Sequence, residues 1–120
     1  MNEERVLNLP MRKKYALEIL HGKKVREYRA FSDHWAKILC ECKDPNDKYQ
    51  VTGLKHFDKV HFYPYNNKWF LDVEVDSMGL YVVDDEFYSY FGNEIEAQRG
   101  SSVFVIRLGK VISTNLTEEG

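Results

Sequence analysis

The sequence predicts an α+β domain, and three observations carry that expectation. Trp69-Phe70-Leu71-Asp72-Val73-Glu74-Val75-Asp76 alternates in the strand sense, with Trp69, Leu71, Val73 and Val75 on one side and Asp72, Glu74 and Asp76 on the other. That is the pattern of a sheet with one buried face. Met11, Tyr15 and Ile19, together with Ala16 and Leu20, recur at four-residue spacing and make the apolar stripe of a helix that must pack against such a sheet. The chain has 120 residues, 43% of them hydrophobic and 14% aromatic, which suits one folded domain over residues 1–120 and is too short for two.

Taken in order, Arg5-Val6-Leu7-Asn8-Leu9 reads as a short strand, and Pro10 then opens a helix that runs to His21. His21 falls where a cation meets the negative end of the helix dipole, and Gly22 suits the left-handed residue that closes the helix. Lys24 to Arg29 alternates as a strand, placing Lys24, Arg26 and Tyr28 on one face and Val25, Glu27 and Arg29 on the other. Ser32 or Asp33 caps a second helix through Cys42, whose apolar side is Trp35, Ile38, Leu39 and Cys42. Asp44-Pro45-Asn46-Asp47-Lys48 is a loop by its turn residues, and the stretch on to Lys55 has no clear period and reads as a surface excursion. Asp58 to Tyr63 is a strand that Pro64-Tyr65-Asn66-Asn67 turns back into the Trp69–Asp76 strand, making a hairpin. Asp85 to Gln98 is read as a third helix with Phe87, Phe91 and Ile95 on one side, and Gly100-Ser101-Ser102 ends it. Val103 to Leu108 is the last strand, with Gly109 as a bulge before Lys110-Val111-Ile112 and a loose tail after Thr114.

Charge is divided unevenly along the chain. Residues 1–43 hold 10 Lys and Arg against 6 Asp and Glu, a balance of +4, while residues 44–120 hold 7 against 13, a balance of −6, and the total is −2. Residues 10–29 alone hold 7 basic and 2 acidic residues. One basic surface can therefore meet a phosphate backbone although the whole chain is nearly neutral, the plain alternative being lysines that solvate a helix face. No stretch approaches the roughly 18 apolar residues of a membrane span. Met1-Asn2-Glu3-Glu4-Arg5 lacks the apolar run of a secretory signal, so a cytoplasmic protein with no membrane partner is expected. Cys40 and Cys42, placed on the second helix, would diverge by about 200° and form no disulfide. Without a second Cys or His pair at recognisable spacing, neither a metal site nor a cofactor is expected.

The chemistry concentrates in Gly22-Lys23-Lys24-Val25-Arg26-Glu27-Tyr28-Arg29. Glu27 and Arg29, two residues apart on one strand face, either pair with each other or converge on a ligand. The run fits the pattern Gly-x-Lys-x-x-Glu-x-Arg and so resembles the ASCH domains, small relatives of the PUA RNA-binding barrels. Leu7-Asn8-Leu9 ahead of the helix, the strands Phe57–Phe62 and Leu71–Val75, and Phe104–Gly109 near the end follow that family's order, so the likeness spans nearly the whole chain.

The resemblance implies a small PUA-like mixed β-barrel of about five or six strands with two or three flanking helices. It further implies a basic cleft beside the first helix that takes RNA or a nucleotide-type ligand. Lys24, Glu27 and Arg29 are the motif positions, with Lys23 and Arg26 as basic neighbours. Lysine and arginine would hold phosphates, Arg through its planar fork and Lys as a point charge, while Glu27 would orient Arg29 or accept a bond from a base or sugar. Tyr28, Tyr63, Tyr65, Trp69 and Tyr81 are candidates for stacking on bases, one or two of them facing the ligand and the rest in the core.

The alternative is a small hydrolase, either an amidohydrolase acting on acetylated cytidine or a ribonuclease. In the amidohydrolase branch of the family a threonine lies three residues beyond the motif lysine, and here that position is Glu27, so the hydroxyl nucleophile is lost. Lys24 and Glu27 would then be the catalytic pair, Glu27 as general base and Lys24 stabilising charge, with Glu94 or Glu96 as the distant carboxylate of the amidohydrolase and, for a ribonuclease, His56 or His61 as acid or base. A protein-interaction module is the third reading, and oligomeric state leaves no mark in the sequence.

Overall fold

The computed structural model describes residues 4–43, 50–92 and 95–118. Its elements are β1 (Val6–Pro10), α1 (Lys13–Leu20), β2 (Arg26–Ala30), α2 (Asp33–Leu39), β3 (Cys40–Cys42), β4 (Val51–Leu54), β5 (Lys59–Tyr63), β6 (Leu71–Val82), α3 (Asp85–Phe91) and β7 (Ser102–Thr114). The fold is α+β, with three helices among the described residues and a curled half-barrel sheet of five strands in the order β1-β5-β6-β7-β2. Strands β3 and β4 form a separate antiparallel pair. None of the helices is long and apolar enough to cross a membrane.

The chain divides into two compact units, the first made of residues 1–27, 56–77 and 107–120. Its core follows from strand alternation. Strand β1 runs parallel to β5 with Leu7 opposite Val60 and Leu9 opposite Phe62, and β5 runs antiparallel to β6 with Val60 opposite Val73 and Phe62 opposite Leu71. All six side chains are at most 2% exposed. Helix α1 buries Ala16 and Ile19, but Tyr15, expected in its apolar stripe, is 42% exposed. The helix starts three residues later than Pro10, which instead ends β1. A residue without an N–H is tolerated there because β1 is the edge of the sheet. Asp58 fastens the start of this edge: its Oδ2 accepts from Arg5 N at 2.7 Å and its own N–H donates to Arg5 O at 2.9 Å.

The second unit comprises residues 28–55 and 78–106. Tyr28, Val83, Phe87, Val103 and Val105 form its core, with Tyr88, Phe91, Ile95 and Ala97 packed around them. Ser32 is the cap of α2, its Oγ accepting from Trp35 N at 3.2 Å, and Asp84 caps α3 by accepting from Phe87 N at 2.8 Å. Further sequence expectations are corrected. Helix α2 stops at Leu39, so the cysteines lie on β3 and not on a helix, where the pairing of Cys40 with Leu54 and Glu41 with Gly53 overrides the helical spacing. The stretch taken as a surface excursion supplies the partner strand β4. Both thiols are free, and burial pushes that of Cys40 above its ordinary value, with neighbouring Cys42 adding to the effect. Helix α3 ends at Phe91 because Gly92 turns with φ 65°, so Ile95 joins the core from beyond the helix.

The last strand and the tail differ from expectation as well. Strand β7 continues through Gly109 as one element of 13 residues. A Cβ at Gly109 would lie 3.1 Å from Glu74 Cβ, so the glycine there makes room for Glu74. Beyond Thr114 the chain is tied down, with Leu116 only 6% exposed. The loop expected at Asp44–Lys48 lies outside the described residues.

Candidate functional site

The basic run after α1 starts from a well-formed helix end. Gly22 has φ 75°, its N–H donates to Ile19 O at 3.0 Å, and Lys23 N donates to Glu18 O at 2.8 Å. These are the paired bonds of a glycine-closed helix. From this turn Lys23 stands exposed, and Lys24 and Arg26 are half-buried. Glu27 is 6% exposed, with its Oε1 3.9 Å from Lys24 Nζ. The Lys24 ammonium also lies 6.0 Å from the centre of the Tyr15 ring, which Lys14 approaches to 5.7 Å. The structure thus brings Lys24 and Glu27 together in the first unit. Arg29 belongs to the second unit, where its Nη1 donates to Tyr28 O at 2.9 Å and its guanidinium lies 5.4 Å from the Trp35 ring. Glu27 and Tyr28 are neighbours and both buried, so β2 does not present one wet face and one dry face.

A cleft of about 480 Å³ opens at the other end of α1, within the first unit. Three segments wall it. Met11, Arg12 and Lys13 lead into the helix, held by Met11 N donating to Tyr63 O at 2.8 Å. Pro64 to Trp69 forms the turn of the β5–β6 hairpin: Asn67 takes φ 55°, its N–H donates to Pro64 O at 3.2 Å, and Asn66 Oδ1 accepts from Lys68 N at 3.1 Å. This turn leaves Tyr65 92% exposed. Asn115, Leu116 and Thr117 close the third side. They are sewn to Phe70, whose N–H donates to Asn115 Oδ1 at 2.8 Å and whose carbonyl accepts from Thr114 Oγ1 at 2.6 Å.

Electrostatically the cleft has one sign. Arg12, Lys13 and Lys68 line it, and among the described residues no carboxylate does. Arg12 is the cap residue of α1 and offers the helix no side-chain acceptor, and the first turn holds no acidic residue. The positive end of the helix dipole therefore adds to the three cations. Tyr65 and half-buried Trp69 supply two rings. Cations beside aromatic faces suit a planar, anionic ligand.

Other candidate residues from the sequence fall elsewhere. His61 Nδ1 lies 2.5 Å from Asp72 Oδ1, with Lys59 Nζ 3.8 Å from the other oxygen, and His56 Nε2 lies 3.1 Å from Asp58 Oδ1. Glu96 is exposed in the segment after α3, and Glu94 lies outside the described residues. Of the five candidate stacking rings, Tyr28 is buried in the second unit and Tyr65 and Trp69 line the cleft. Sequence reasoning passed over Arg12, Lys13 and Lys68 as ligand residues. The signal that would have found them was the interleaving of Lys68 with Tyr65 and Trp69 in one turn. Compared with family models, with curated proteins and with solved structures, the chain matches none.

Proposed function

We propose that the chain is an ASCH-like domain that binds RNA or a nucleotide-type ligand in the basic cleft beside α1. One observation carries this reading: three cations, two aromatic rings and, among the described residues, no carboxylate line a single cleft of about 480 Å³. That volume falls in the roughly 300–1,000 Å³ range of small-ligand pockets. The phosphate is assigned to Arg12, Lys13 and Lys68, and the base to Tyr65 and Trp69. The Gly22–Arg29 run supports the family likeness, with Lys23, Lys24 and Arg26 as a basic surface at the far end of the same helix. The test is titration of a labelled single-stranded RNA into the native chain and into Tyr65→Ala. Tyr65 is 92% exposed, so its removal leaves the fold unstressed. Loss of one stacked base is expected to weaken binding by about 1–3 kcal/mol, and equal affinities for the two proteins would refute the assignment.

A second reading, a small amidohydrolase or ribonuclease, has the Lys24–Glu27 approach of 3.9 Å behind it. In that reading Glu27 takes the proton of the attacking water or hydroxyl and Lys24 steadies the developing negative charge. Turnover of acetylated cytidine or of labelled RNA that disappears in Glu27→Gln supports it. Absence of turnover on both substrates removes it.

A further inference from the structure

The helix expected over Cys40 and Cys42 would have turned their thiols apart, and the strand found there sets them side by side. Side chains two apart on a strand share a face. Burial follows that alternation in β3: Cys40 is 3% exposed, Glu41 is exposed and Cys42 is half-buried. The irregularity of the β3–β4 pair falls on β4, where Thr52 is the extra residue between Gly53, opposite Glu41, and Val51, opposite Cys42. Thr52 Oγ1 closes it by donating to Glu41 O at 3.1 Å. Strand β3 therefore keeps its alternation, with both thiols on its buried side. They also feel each other, since Cys42 adds to the upward push on the Cys40 thiol.

Same-face neighbours on a strand stand two rises apart, about 6.6 Å. A disulfide asks for Cβ atoms about 3.5–4.5 Å apart, so the two thiols do not join without bending the strand. Two metal–sulfur bonds of about 2.3 Å laid end to end span about 4.6 Å, which thiols leaning toward each other from that spacing can bridge. We propose that Cys40 and Cys42 form a two-coordinate thiolate site for a soft monovalent cation of the Cu(I) class. Zinc asks for four ligands, and among the described residues no group of three His, Cys, Asp or Glu side chains could hold a metal. Cu(I) prefers sulfur and is satisfied by two thiolates in line. On binding, both thiols give their protons to solvent, which leaves the complex with a net negative charge. Lys55 offsets that charge, for it already favours the thiolate form of Cys40. It is fastened at both ends, its backbone N donating to Leu39 O at 2.9 Å and its Nζ to Lys37 O at 3.2 Å. Half-buried Cys42 gives the route in from solvent. The pair lies in the second unit, so the proposal stands apart from the ligand cleft of the first.

Cu(I) is titrated without oxygen, from its bicinchoninate complex, into the native chain, Cys40→Ser and Cys42→Ser, with Zn(II) in parallel. Thermal unfolding checks that each variant is folded. The native chain is expected to take one Cu(I) per chain with an ultraviolet thiolate-to-copper band, and each serine variant to lose both. Should buried Cys40 not tolerate serine, Cys42→Ser carries the test alone. Copper left with the chelator by the native chain overturns the proposal. Uptake that persists in Cys42→Ser overturns it by assigning the metal to other side chains. One copper per two chains overturns it by assigning the metal to a contact between copies. Zn(II) held as tightly as Cu(I), and lost with the same thiols, overturns the two-coordinate assignment.

Discussion

At the scale of single residues, Gly22 shows what a short-range signal can convey. A glycine directly after an apolar helical stripe marks a left-handed helix end, and the structure has it at φ 75° with nothing within 4 Å of the place a Cβ would occupy. The requirement is one of backbone and not of space. Gly22→Ala is therefore expected to lower stability by about 1 kcal/mol, read from urea unfolding, with Gly22→Asn recovering part of the loss because asparagine tolerates that conformation. Asn115 is the opposite case. Its role depends on the N–H of Phe70, 45 positions away, and nothing in its local sequence announces that partner. Likewise Tyr15 keeps helical spacing with Met11 and Ile19 yet lies beneath Lys14 and Lys24 and is not in the core. Spacing defines a stripe, but the stripe's width is decided by what packs against it.

At the scale of elements, β1, β5 and the first half of β6 were legible because their alternation is strict and one face is wholly buried. Strand β3 was not, since Trp35, Ile38, Leu39 and Cys42 keep helical spacing across the point where the helix ends. What ends it is pairing with β4, a non-local contact that propensity cannot report. The sheet's edge also carries a pH-sensitive joint. The Asp58 carboxyl is held below its ordinary value, first by the N–H of Arg5 and then by His56. Because the folded-state value is the lower one, Asp58 contributes stability above the ordinary aspartate value of about 3.9. That contribution is lost as pH falls through the lowered value. Acid titration followed by circular dichroism is expected to show Asp58→Asn less stable than the native chain near neutral pH. Its further decline in the acid range is expected to be shallower, so the two curves converge.

At the scale of the whole molecule, the net charge of −2 conceals a cleft lined, among the described residues, by three cations and no acid. Single-stranded RNA binding releases counterions in proportion to the phosphates neutralised, by about 0.7 in the log–log slope for each. Three contacts from Arg12, Lys13 and Lys68 should give a slope near −2, and Lys68→Ala should flatten it by about 0.7. Fluorescence anisotropy at several salt concentrations checks both values, and a slope near zero would count against phosphate recognition. The basic character of residues 10–29 was readable from the letters alone. Its split between the helix start, where Arg12 and Lys13 line the cleft, and the helix exit, where Lys24 meets Glu27, required the turn at Pro64–Trp69 and the strand β2 to be in place.

The bonds that tie Thr114 and Asn115 to the two polar groups of Phe70 hold the closing wall of the cleft against the end of the hairpin. Loosening that seam by a distant core change would let Asn115, Leu116 and Thr117 drift from the turn that carries Tyr65 and Trp69, and the cleft would widen before the protein lost measurable cooperativity in unfolding. The affinity of any ligand held between those walls would then act as a gauge of how firmly the closing strand is stitched to the hairpin.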